Sequence, residues 1–454
     1  MSNLTYDELK LGEKAKEAFL QGLPAEEIVK LPTYLNTEPV FANLNVTDLA
    51  TAAVLGGLNV LFVGDTGTGK SQIAFDIYRR YFGGNKHDNG QGVLVRGNSE
   101  TDMYSEIFTK LNLSVADREL TDAIGSLVFL VDEINRCPSV AQNQFLSLDG
   151  VMDYKGKSIS LGRDGYNILM ATANIGNGEF KGTFEIDKAL YNRLHVVLDF
   201  DYTMLKPTRE DEMIIDVMRA ANPKVKYCET KDISLKILAA YAEIERIAEN
   251  PGIEALAIVN YLRFGLENCM QYGTKEKNWP MNCQDCTHNK KSNAMCSLVK
   301  APVRRTTEAM VKYASAMQFL AKLKNPEQEI DCIDLMFKAF ELTGAYQFLL
   351  NEHILATKYS NANPNLMSEV VEMLKQDFRE NEGFIMASIE ELLSGQEVTS
   401  FFKKGAKIGK YDDLSDEAKK NVTRIEPYTD QRQIGLAWMH DFIKISHNLQ
   451  KIRK

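Results

Sequence analysis

The amino-acid sequence predicts an α/β fold in which a parallel sheet is flanked by helices and followed by helical regions. Short apolar runs alternate with helical patterns between residues 59 and 200, and this alternation is typical of a parallel sheet covered on both faces. A glycine-rich motif separates the first apolar run from the first long helical pattern. Beyond Pro207 the apolar residues follow helical spacing and no strand is convincing, which predicts a separate helical part.

The elements of the first half are predicted in chain order. The polar segment 1–40 is predicted to be a helical extension punctuated by prolines. A short helix over 49–55 ends at Gly56, and a longer helix runs from 71 to about 81. The predicted strands are 59–63, 93–95, 127–131, 168–172 and 196–200.

The second half is predicted to be helical. The helical patterns lie at 208–222, 232–249, 253–272, 305–321 and 330–357. Residues 273–300 are polar and are predicted to form a loop, and residues 361–365 carry the clearest linker signal of this half. The predicted domains are a helical extension over 1–40, an α/β core over 41–205, a helical part over 206–358 with a cysteine-containing insertion at 269–296, and a helical C-terminal region over 359–454.

Composition and charge exclude several classes of protein. The chain has 454 residues, enough for two to four domains at about 100–200 residues each. Hydrophobic residues make up 44% and charged residues 25%, which is ordinary globular usage and excludes a collagen-like or wholly disordered chain. The net charge of −9 argues against a surface that binds nucleic acid everywhere, although it leaves a local basic groove open.

Neither a membrane span nor an export signal is expected. Apolar runs such as 127–131 are far shorter than the roughly 18 residues that cross a bilayer. Residues 1–20 lack a basic start and an apolar core, so they do not resemble a secretory signal. We therefore expect a cytoplasmic protein, in which the seven cysteines do not form a disulfide framework.

A phosphate-binding loop is the strongest motif in the chain. Residues 64–71 fit the pattern G-x-x-x-x-G-K-[ST] between a predicted strand and a predicted helix. Backbone N–H groups of such a loop surround the phosphates, Lys70 reaches the β and γ phosphates, and the Ser71 hydroxyl binds Mg²⁺. The predicted nucleotide-binding residues of the loop are Gly64, Asp65, Thr66, Gly67, Thr68, Gly69, Lys70 and Ser71.

A second Gly-Lys-Ser sequence, at 156–158, is interpreted differently. The nearest upstream glycine, Gly150, is one residue too far away for the motif, and no strand leads into it. We predict a turn inside a β-hairpin between 150–154 and 158–161.

The apolar run 127–131 ends in Asp132 and Glu133. A carboxylate at the end of a buried strand can hold Mg²⁺, directly or through water. The adjacent Glu133 can orient and deprotonate an attacking water. Together with the phosphate loop, this acidic pair predicts hydrolysis rather than static binding of a nucleotide.

These residues resemble the AAA+ ATPases, and more narrowly the MoxR-like and dynein-related branch. The sequence Asp-Glu-Ile-Asn-Arg at 132–136 reproduces a box of that branch, and the hairpin at 150–161, Ala-Thr-Ala-Asn at 171–174 and Ala-Leu-Tyr-Asn-Arg at 189–193 extend the likeness. The resemblance covers roughly 45–205 well and the helical lid to about 350 loosely. It does not cover 1–40 or 360–454.

The resemblance implies roles for residues outside the phosphate loop. Asn174 corresponds to the sensor-1 position, and Arg193 to the arginine finger that enters the site of a neighbouring subunit. Arg304 and Arg305 both suit the sensor-2 position, and the spacing to the following helix favours Arg305. The family's usual Phe after the finger is Leu194 here.

The resemblance also implies an activity and an assembly. We expect a Mg²⁺-dependent ATPase that forms a ring of six and remodels or activates a partner in the manner of a chaperone, the partner often carrying a von Willebrand factor A domain. Lys155 and Lys157 would face the pore of that ring. The alternative is a nucleic-acid translocase or helicase-like motor. ATP rather than GTP is implied by the family alone.

A cysteine cluster predicts a structural zinc site. Cys283, Cys286 and Cys296 form a C-x₂-C-x₉-C run, and tetrahedral Zn²⁺ requires a fourth ligand. Cys269 is favoured over His288 for that place. The alternatives are a loop with free thiols and, less favoured, an iron–sulfur cluster.

Overall fold

The structure is a computed structural model. It describes residues 28, 38–84, 90–98, 108–112, 117–146, 150–175, 183–219, 228–266, 268–269, 273–274 and 298–393. The predicted extension 1–40 therefore lies largely outside the described residues. The predicted C-terminal region 359–454 is described only up to residue 393. Two compact units are present: unit 1 comprises residues up to Asn250 together with Ala309–Ile330, and unit 2 comprises Pro251–Glu308 and the residues from Asp331 onward.

The strands and helices of the described residues are numbered here in chain order. The strands are β1 (Val60–Val63), β2 (Gly92–Arg96), β3 (Thr109–Asn112), β4 (Asp117–Leu120), β5 (Val128–Asp132), β6 (Val151–Tyr154), β7 (Lys157–Ser160), β8 (Ile168–Ala173), β9 (Val196–Asp199), β10 (Asn268–Cys269) and β11 (Gly273–Thr274). The helices are α1 (Val46–Leu55), α2 (Lys70–Phe82), α3 (Ser139–Phe145), α4 (Lys188–Tyr191), α5 (Arg209–Arg219), α6 (Ser234–Glu249), α7 (Ile253–Asn260), α8 (Arg304–Lys324), α9 (Cys332–Gly344), α10 (Glu352–Lys358) and α11 (Asn363–Leu393).

A five-stranded sheet forms the centre of unit 1. Its strand order is β2-β5-β8-β1-β9, and every pairing is parallel. All residues of β1 and β8 are buried, as expected of continuous apolar strands covered on both faces. The predicted fold class is confirmed, with each of the five predicted strands in the sheet.

This strand order decides which loops meet. Strand β1 lies between β8 and β9, and β5 lies on the other side of β8. Because the strands are parallel, the loop after β1 and the ends of β5, β8 and β9 share one edge of the sheet. We call this the carboxyl edge, and the opposite one the amino edge.

Helix α1 packs against the core with its whole length. All ten of its residues are buried, and the helix begins earlier than predicted. Asn45 and Asp48 form a capping box, in which the Asn45 side chain accepts from the Asp48 N–H and the Asp48 carboxylate accepts from the Asn45 N–H, each at 2.9 Å. This reciprocal cap satisfies two N–H groups at the helix start.

The predicted hairpin is present as β6 and β7. Tyr154 pairs with Lys157 in antiparallel register, and Lys155 and Gly156 form the turn with φ values of +48° and +75°. Positive φ at both central residues matches the twist of the flanking strands. A second hairpin, β3–β4, pairs Thr109 with Leu120 and has no counterpart among the predicted elements.

Three predictions for unit 2 are wrong. The predicted helix 253–272 ends as α7 and a π-helical turn, Tyr261–Gly265, and the short pair β10–β11 follows it although no strand was expected there. The predicted helix 330–357 is divided into α9 and α10, because Asn351 caps a new helix through the His353 N–H at 3.0 Å. The predicted linker 361–365 is mostly the first turn of α11, a position in which proline is well tolerated.

The core of unit 2 is built around Tyr261. Its ring lies edge-on to Phe378, with centroids 5.2 Å apart, and its hydroxyl donates to the Asp377 carboxylate. Helices α9 and α11 pack together beside it. No helix of the described residues is long and apolar enough to cross a membrane.

Candidate nucleotide site

The phosphate loop connects β1 to α2 at the carboxyl edge. Gly67 and Gly69 have φ values of +90° and +94°, which residues with a Cβ rarely adopt. Gly69 precedes α2 and no side chain caps its first turn. The N–H groups of that turn, together with the positive end of the helix dipole, form a binding site for anionic phosphate.

Lys70 lies beneath the loop with 5% of its surface exposed. Its Nζ donates to the carbonyl oxygens of Gly64, at 2.8 Å, and of Asp65, and to Thr68 Oγ1 at 3.3 Å. Burial lowers the pKa of Lys70, while the carboxylates around it oppose this change. The loop therefore holds a preorganised cation where phosphates are expected to bind.

Asp201, two residues after the end of β9, supports this loop and is absent from the sequence predictions. Its Oδ1 accepts the Asp65 N–H at 3.1 Å, and its own N–H donates to Asp199 Oδ1 at 2.9 Å. Both aspartates also raise the pKa of Lys70 through their charges. The available signal was an Asp-x-Asp sequence at the end of the fifth predicted strand.

Ser71 and Asp132 come together in the way the motif predicts. The Ser71 hydroxyl donates to Asp132 Oδ1 at 2.9 Å. A hydroxyl and a carboxylate at this spacing are the hard oxygen donors that Mg²⁺ prefers, and Mg²⁺ usually keeps few protein ligands beside the phosphates. The donor set therefore fits magnesium, with Ser71 and Asp132 as the residues that would hold it.

Glu133 lies beside Asp132 with its carboxylate held from two sides. Asn174 Nδ2 donates to Glu133 Oε1 at 3.3 Å, and Arg136 Nε contacts Glu133 Oε2 at 2.8 Å. The Glu133 side chain is 37% exposed, so water can reach it. Asn135 Nδ2 in turn donates to the Asn174 carbonyl at 3.0 Å, which fixes the end of β8.

Thr172 joins the two acidic residues and was not singled out from the sequence. Its hydroxyl donates to Asp132 Oδ1 at 2.7 Å and accepts the Glu133 N–H at 2.9 Å. It lies one residue before the end of β8, two before Asn174. Thr172 lies within residues 171–174, which carry part of the resemblance. Its contacts could not be predicted from the sequence.

Arg193 is not near the phosphate loop of its own chain. Its carbonyl accepts from Asn59 Nδ2 at 2.9 Å, and Asn59 immediately precedes β1, whereas the phosphate loop follows β1. Asn59 and the phosphate loop are therefore separated by the four residues of β1, each of which extends the strand by about 3.3 Å. Arg193 thus lies at the amino edge, opposite the nucleotide site of its own chain.

The sensor-2 candidates lie at the start of α8, within unit 2. Arg304 Nε pairs with Glu308 Oε1 at 2.7 Å, and both side chains are largely exposed. Arg305 is the next residue of the same helix. Its role stays a prediction.

The predicted zinc ligands Cys283, Cys286 and Cys296, with the alternative His288, lie outside the described residues. Cys269 is described only as part of β10. Within the part of the chain that the structure describes, no three His, Cys, Asp or Glu side chains are placed to hold a metal ion. The zinc site stays a prediction. The described cysteines Cys137, Cys228 and Cys332 form no disulfide bond.

The comparisons with known proteins agree with a nucleotide-binding α/β domain of the phosphate-loop class. Residues 59–194 match the family model described as the AAA domain of the dynein-related subfamily, a range that includes the site from Gly64 to Arg193. The chain therefore contains an AAA domain, the domain of the AAA ATPases.

One solved structure adds information about the fold alone. A crystal structure from Cytophaga hutchinsonii ATCC 33406, described as a "putative ATPase", aligns with a TM-score of 0.50 at 15% identity and covers 80% of this chain and 98% of that chain. No curated protein matches the sequence.

Proposed function

We propose that the protein is a MoxR-like, Mg²⁺-dependent ATPase that works as an oligomeric ring and remodels or activates a partner protein. The observation that carries the proposal is the position of Glu133. Its carboxylate is reachable by water and contacts Asn174, next to the bonded pair Ser71 and Asp132. This is the arrangement that activation of a lytic water requires.

The side chains divide the reaction between them. The loop 64–71 and Lys70 bind the phosphates. Glu133 accepts a proton from the water whose oxygen attacks the γ-phosphorus, and the bond from that phosphorus to the β–γ bridging oxygen breaks, so that ADP leaves. Asn174 orients the Glu133 carboxylate. When bound by Ser71 and Asp132, Mg²⁺ supplies positive charge to the β and γ phosphates.

The ring is supported by the position of Arg193. A cation at the amino edge cannot serve a site at the carboxyl edge of the same sheet, but it can serve the site of a neighbour. Six subunits are the number implied by the resemblance. A cytoplasmic location stays a prediction.

The partner is proposed from the hairpin β6–β7 and from the resemblance. The hairpin tip exposes Lys155 and Lys157, and the Lys155 ammonium lies 5.4 Å from the centre of the Tyr154 ring. A tip of this kind in a pore would contact a polypeptide, and the MoxR-like branch suggests a protein with a von Willebrand factor A domain.

The same two lysines favour the second candidate function, a nucleic-acid motor. Basic residues in a pore attract phosphate backbones, whereas the net charge of −9 opposes binding by the rest of the surface. Stimulation of turnover by single- or double-stranded DNA, lost in the double variant Lys155→Ala/Lys157→Ala, would support the motor over the protein remodeller.

The direct test of the proposal is steady-state ATPase activity of the wild type and of Glu133→Gln. The variant keeps the shape of the side chain but removes the base, so we expect a decrease in kcat of about 100-fold or more, with nucleotide binding retained. Light scattering after size exclusion, with and without ATP, should show a larger assembly for the variant with ATP.

Glu249→Gln is the matched control, because Glu249 is an exposed carboxylate at the end of α6. It should hydrolyse ATP like the wild type. Wild-type protein without Mg²⁺-dependent phosphate release, or a Glu133→Gln variant as active as the wild type, would contradict the proposed function.

A further inference from the structure

We propose that Thr172 is a positioning residue for hydrolysis, whose single hydroxyl fixes both acidic residues of the site. The inference rests on the proposed function and extends it to a residue outside the phosphate loop. It concerns how Asp132 and Glu133 are held before any nucleotide arrives.

The sheet places Thr172 where one side chain reaches both residues. In the register of β5 with β8, Val131 pairs with Ala171, so Thr172 follows directly beside Asp132. On its other side β8 pairs with β1, with Phe62 opposite Thr172. The residue is 1% exposed, so its hydroxyl is satisfied by protein groups rather than by bulk water.

The two hydrogen bonds use the hydroxyl as a donor and as an acceptor at the same time. A threonine hydroxyl has one proton to donate and lone pairs to accept with. The Glu133 N–H can only donate, so the Thr172 oxygen accepts it, at 2.9 Å, and the proton of Thr172 points to Asp132 Oδ1, at 2.7 Å. The carboxylate orientation and the backbone of the next residue are thus coupled through one atom.

The backbone of Glu133 needs this support. Its φ and ψ values are 58° and 52°, a left-handed conformation that residues other than glycine rarely adopt and that persists only when the surroundings enforce it. Besides Thr172, the Arg136 N–H donates to the Glu133 carbonyl at 2.9 Å. Gly97 approaches the same carbonyl so closely that a Cβ there would lie 2.1 Å from the oxygen.

Two consequences separate this role from ordinary core packing. Loss of the hydroxyl removes a hydroxyl donor to Asp132 Oδ1, to which Ser71 also donates, and leaves the Glu133 N–H without this acceptor. Hydrolysis should therefore be slower, or should require a higher Mg²⁺ concentration. Binding of nucleotide without metal should not change, because the phosphate loop is unchanged.

The experiment compares Thr172→Val, which keeps the shape without the hydroxyl, with Thr172→Ser, which keeps the hydroxyl. We expect Thr172→Val to lower kcat, or to raise the Mg²⁺ concentration for half-maximal activity, by about 10–100-fold, the usual effect of removing a group that orients a metal ligand. KM for ATP should change less, and the affinity for a fluorescent ADP analogue in EDTA should stay the same. Thr172→Ser should recover most of the activity.

Thr343→Val is the matched control. Thr343 is also a buried threonine, and its hydroxyl donates to the Ala339 carbonyl within helix α9, at 2.8 Å. This variant measures the general effect of removing a buried hydroxyl, and it should leave kcat and the Mg²⁺ dependence unchanged.

A Thr172→Val variant with wild-type kcat and Mg²⁺ dependence would overturn the proposal, and so would equal losses of activity in Thr172→Val and Thr343→Val. If circular dichroism shows that Thr172→Val does not fold, Thr172→Cys replaces it, since a thiol of similar size is a weak donor and acceptor. Wild-type kinetics for a folded Thr172→Cys would then overturn the proposal. Absence of hydrolysis by the wild type contradicts the proposed function itself, which is a different result.

Discussion

Individual side chains of the phosphate loop are held in place before any ligand binds. Lys70 is buried and donates to two loop carbonyls, so its ammonium does not need to be ordered when phosphate arrives. The same burial lowers its pKa, and the carboxylates of Asp201, Asp65, Asp132 and Asp199 work against that effect. Lys70 therefore combines a structural role in the loop with the predicted role in binding.

Replacement of Lys70 separates these two roles. We expect Lys70→Met to weaken ATP binding by about 10–100-fold, the equivalent of one charge-assisted hydrogen bond, measured by titration with a fluorescent ATP analogue. The methionine fills similar space but leaves the Gly64 and Asp65 carbonyls without their donor, so the melting temperature should fall and report the structural role separately. Lys206→Met, at an exposed lysine, is the control, and equal ATP affinity of Lys70→Met and wild type would refute the assigned role.

Helix α2 shows how one element serves both the site and the core. Its first turn closes the phosphate loop, and its middle carries Asp76, which is fully buried. Asp76 accepts from Gln72 Nε2 at 2.6 Å and from the Cys228 N–H at 2.9 Å. Arg79 of the same helix donates to the Cys228 carbonyl at 2.9 Å. These bonds tie the helix to the chain that precedes α6.

The buried carboxyl of Asp76 predicts a pH dependence of stability. Burial raises its pKa above 3.8, although hydrogen bonds from Cys228 and Gln72 oppose the change. Because the folded-state pKa is the higher one, the protonated carboxyl stabilises the fold at low pH, and this contribution is lost as pH rises through the folded-state pKa. Asp76→Asn removes the titration, so the melting temperature of the wild type should fall relative to the variant as the pH rises from about 4 through the folded-state pKa.

Asp122→Asn provides the control for this comparison, because Asp122 is exposed and its replacement makes the same change in charge. Its melting temperature should run parallel to that of the wild type over the same pH range. A constant difference between wild type and Asp76→Asn at all pH values would show that Asp76 does not titrate in that window.

At the largest scale, the two edges of the sheet in unit 1 carry different parts of the proposed mechanism. The phosphate loop, Asp132 and Glu133 are at the carboxyl edge, while Arg193 is fixed at the amino edge through Asn59. Asn59 also accepts the Leu169 N–H at 2.8 Å and donates its own N–H to His195 Nδ1 at 3.1 Å. One buried asparagine, through its side-chain amide and its backbone N–H, therefore joins the starts of β1, β8 and β9.

This arrangement predicts complementation between inactive variants. If Arg193 serves a neighbour, a mixture of Glu133→Gln and Arg193→Ala subunits contains interfaces in which an intact Glu133 meets an intact Arg193. In randomly mixed rings about one quarter of the interfaces are of this kind, so the mixture should regain up to about that share of wild-type ATPase activity while each variant alone stays inactive.

Subunit exchange must be demonstrated, for instance with differently labelled variants. Arg246→Ala, at a largely exposed arginine that pairs with Glu243, should be active without mixing and serves as the control for loss of a surface arginine. Complete exchange with no regained activity would mean that Arg193 does not act between subunits.

The sequence was most informative where structure follows from neighbouring residues. The loop 64–71 and the turn at 155–156 could be predicted because glycine and the flanking residues restrict the backbone locally. The five sheet strands could be predicted because buried parallel strands are continuous apolar runs. Helix ends in unit 2 were less predictable, since the cap at Asn351 and the π-helical turn at Tyr261 interrupt patterns whose apolar spacing continues.

The sequence by itself thus determined the fold class and the residues that carry the predicted chemistry: the phosphate loop, Asp132, Glu133 and Asn174. Tertiary structure alone decided which residues support them. Thr172 contacts both acidic residues, and Asp201 the loop, only because β8 lies between β5 and β1 and β9 lies beside β1. The opposite placement of Arg193 has the same origin. Strand order is set by long-range packing, which no spacing within a single segment encodes.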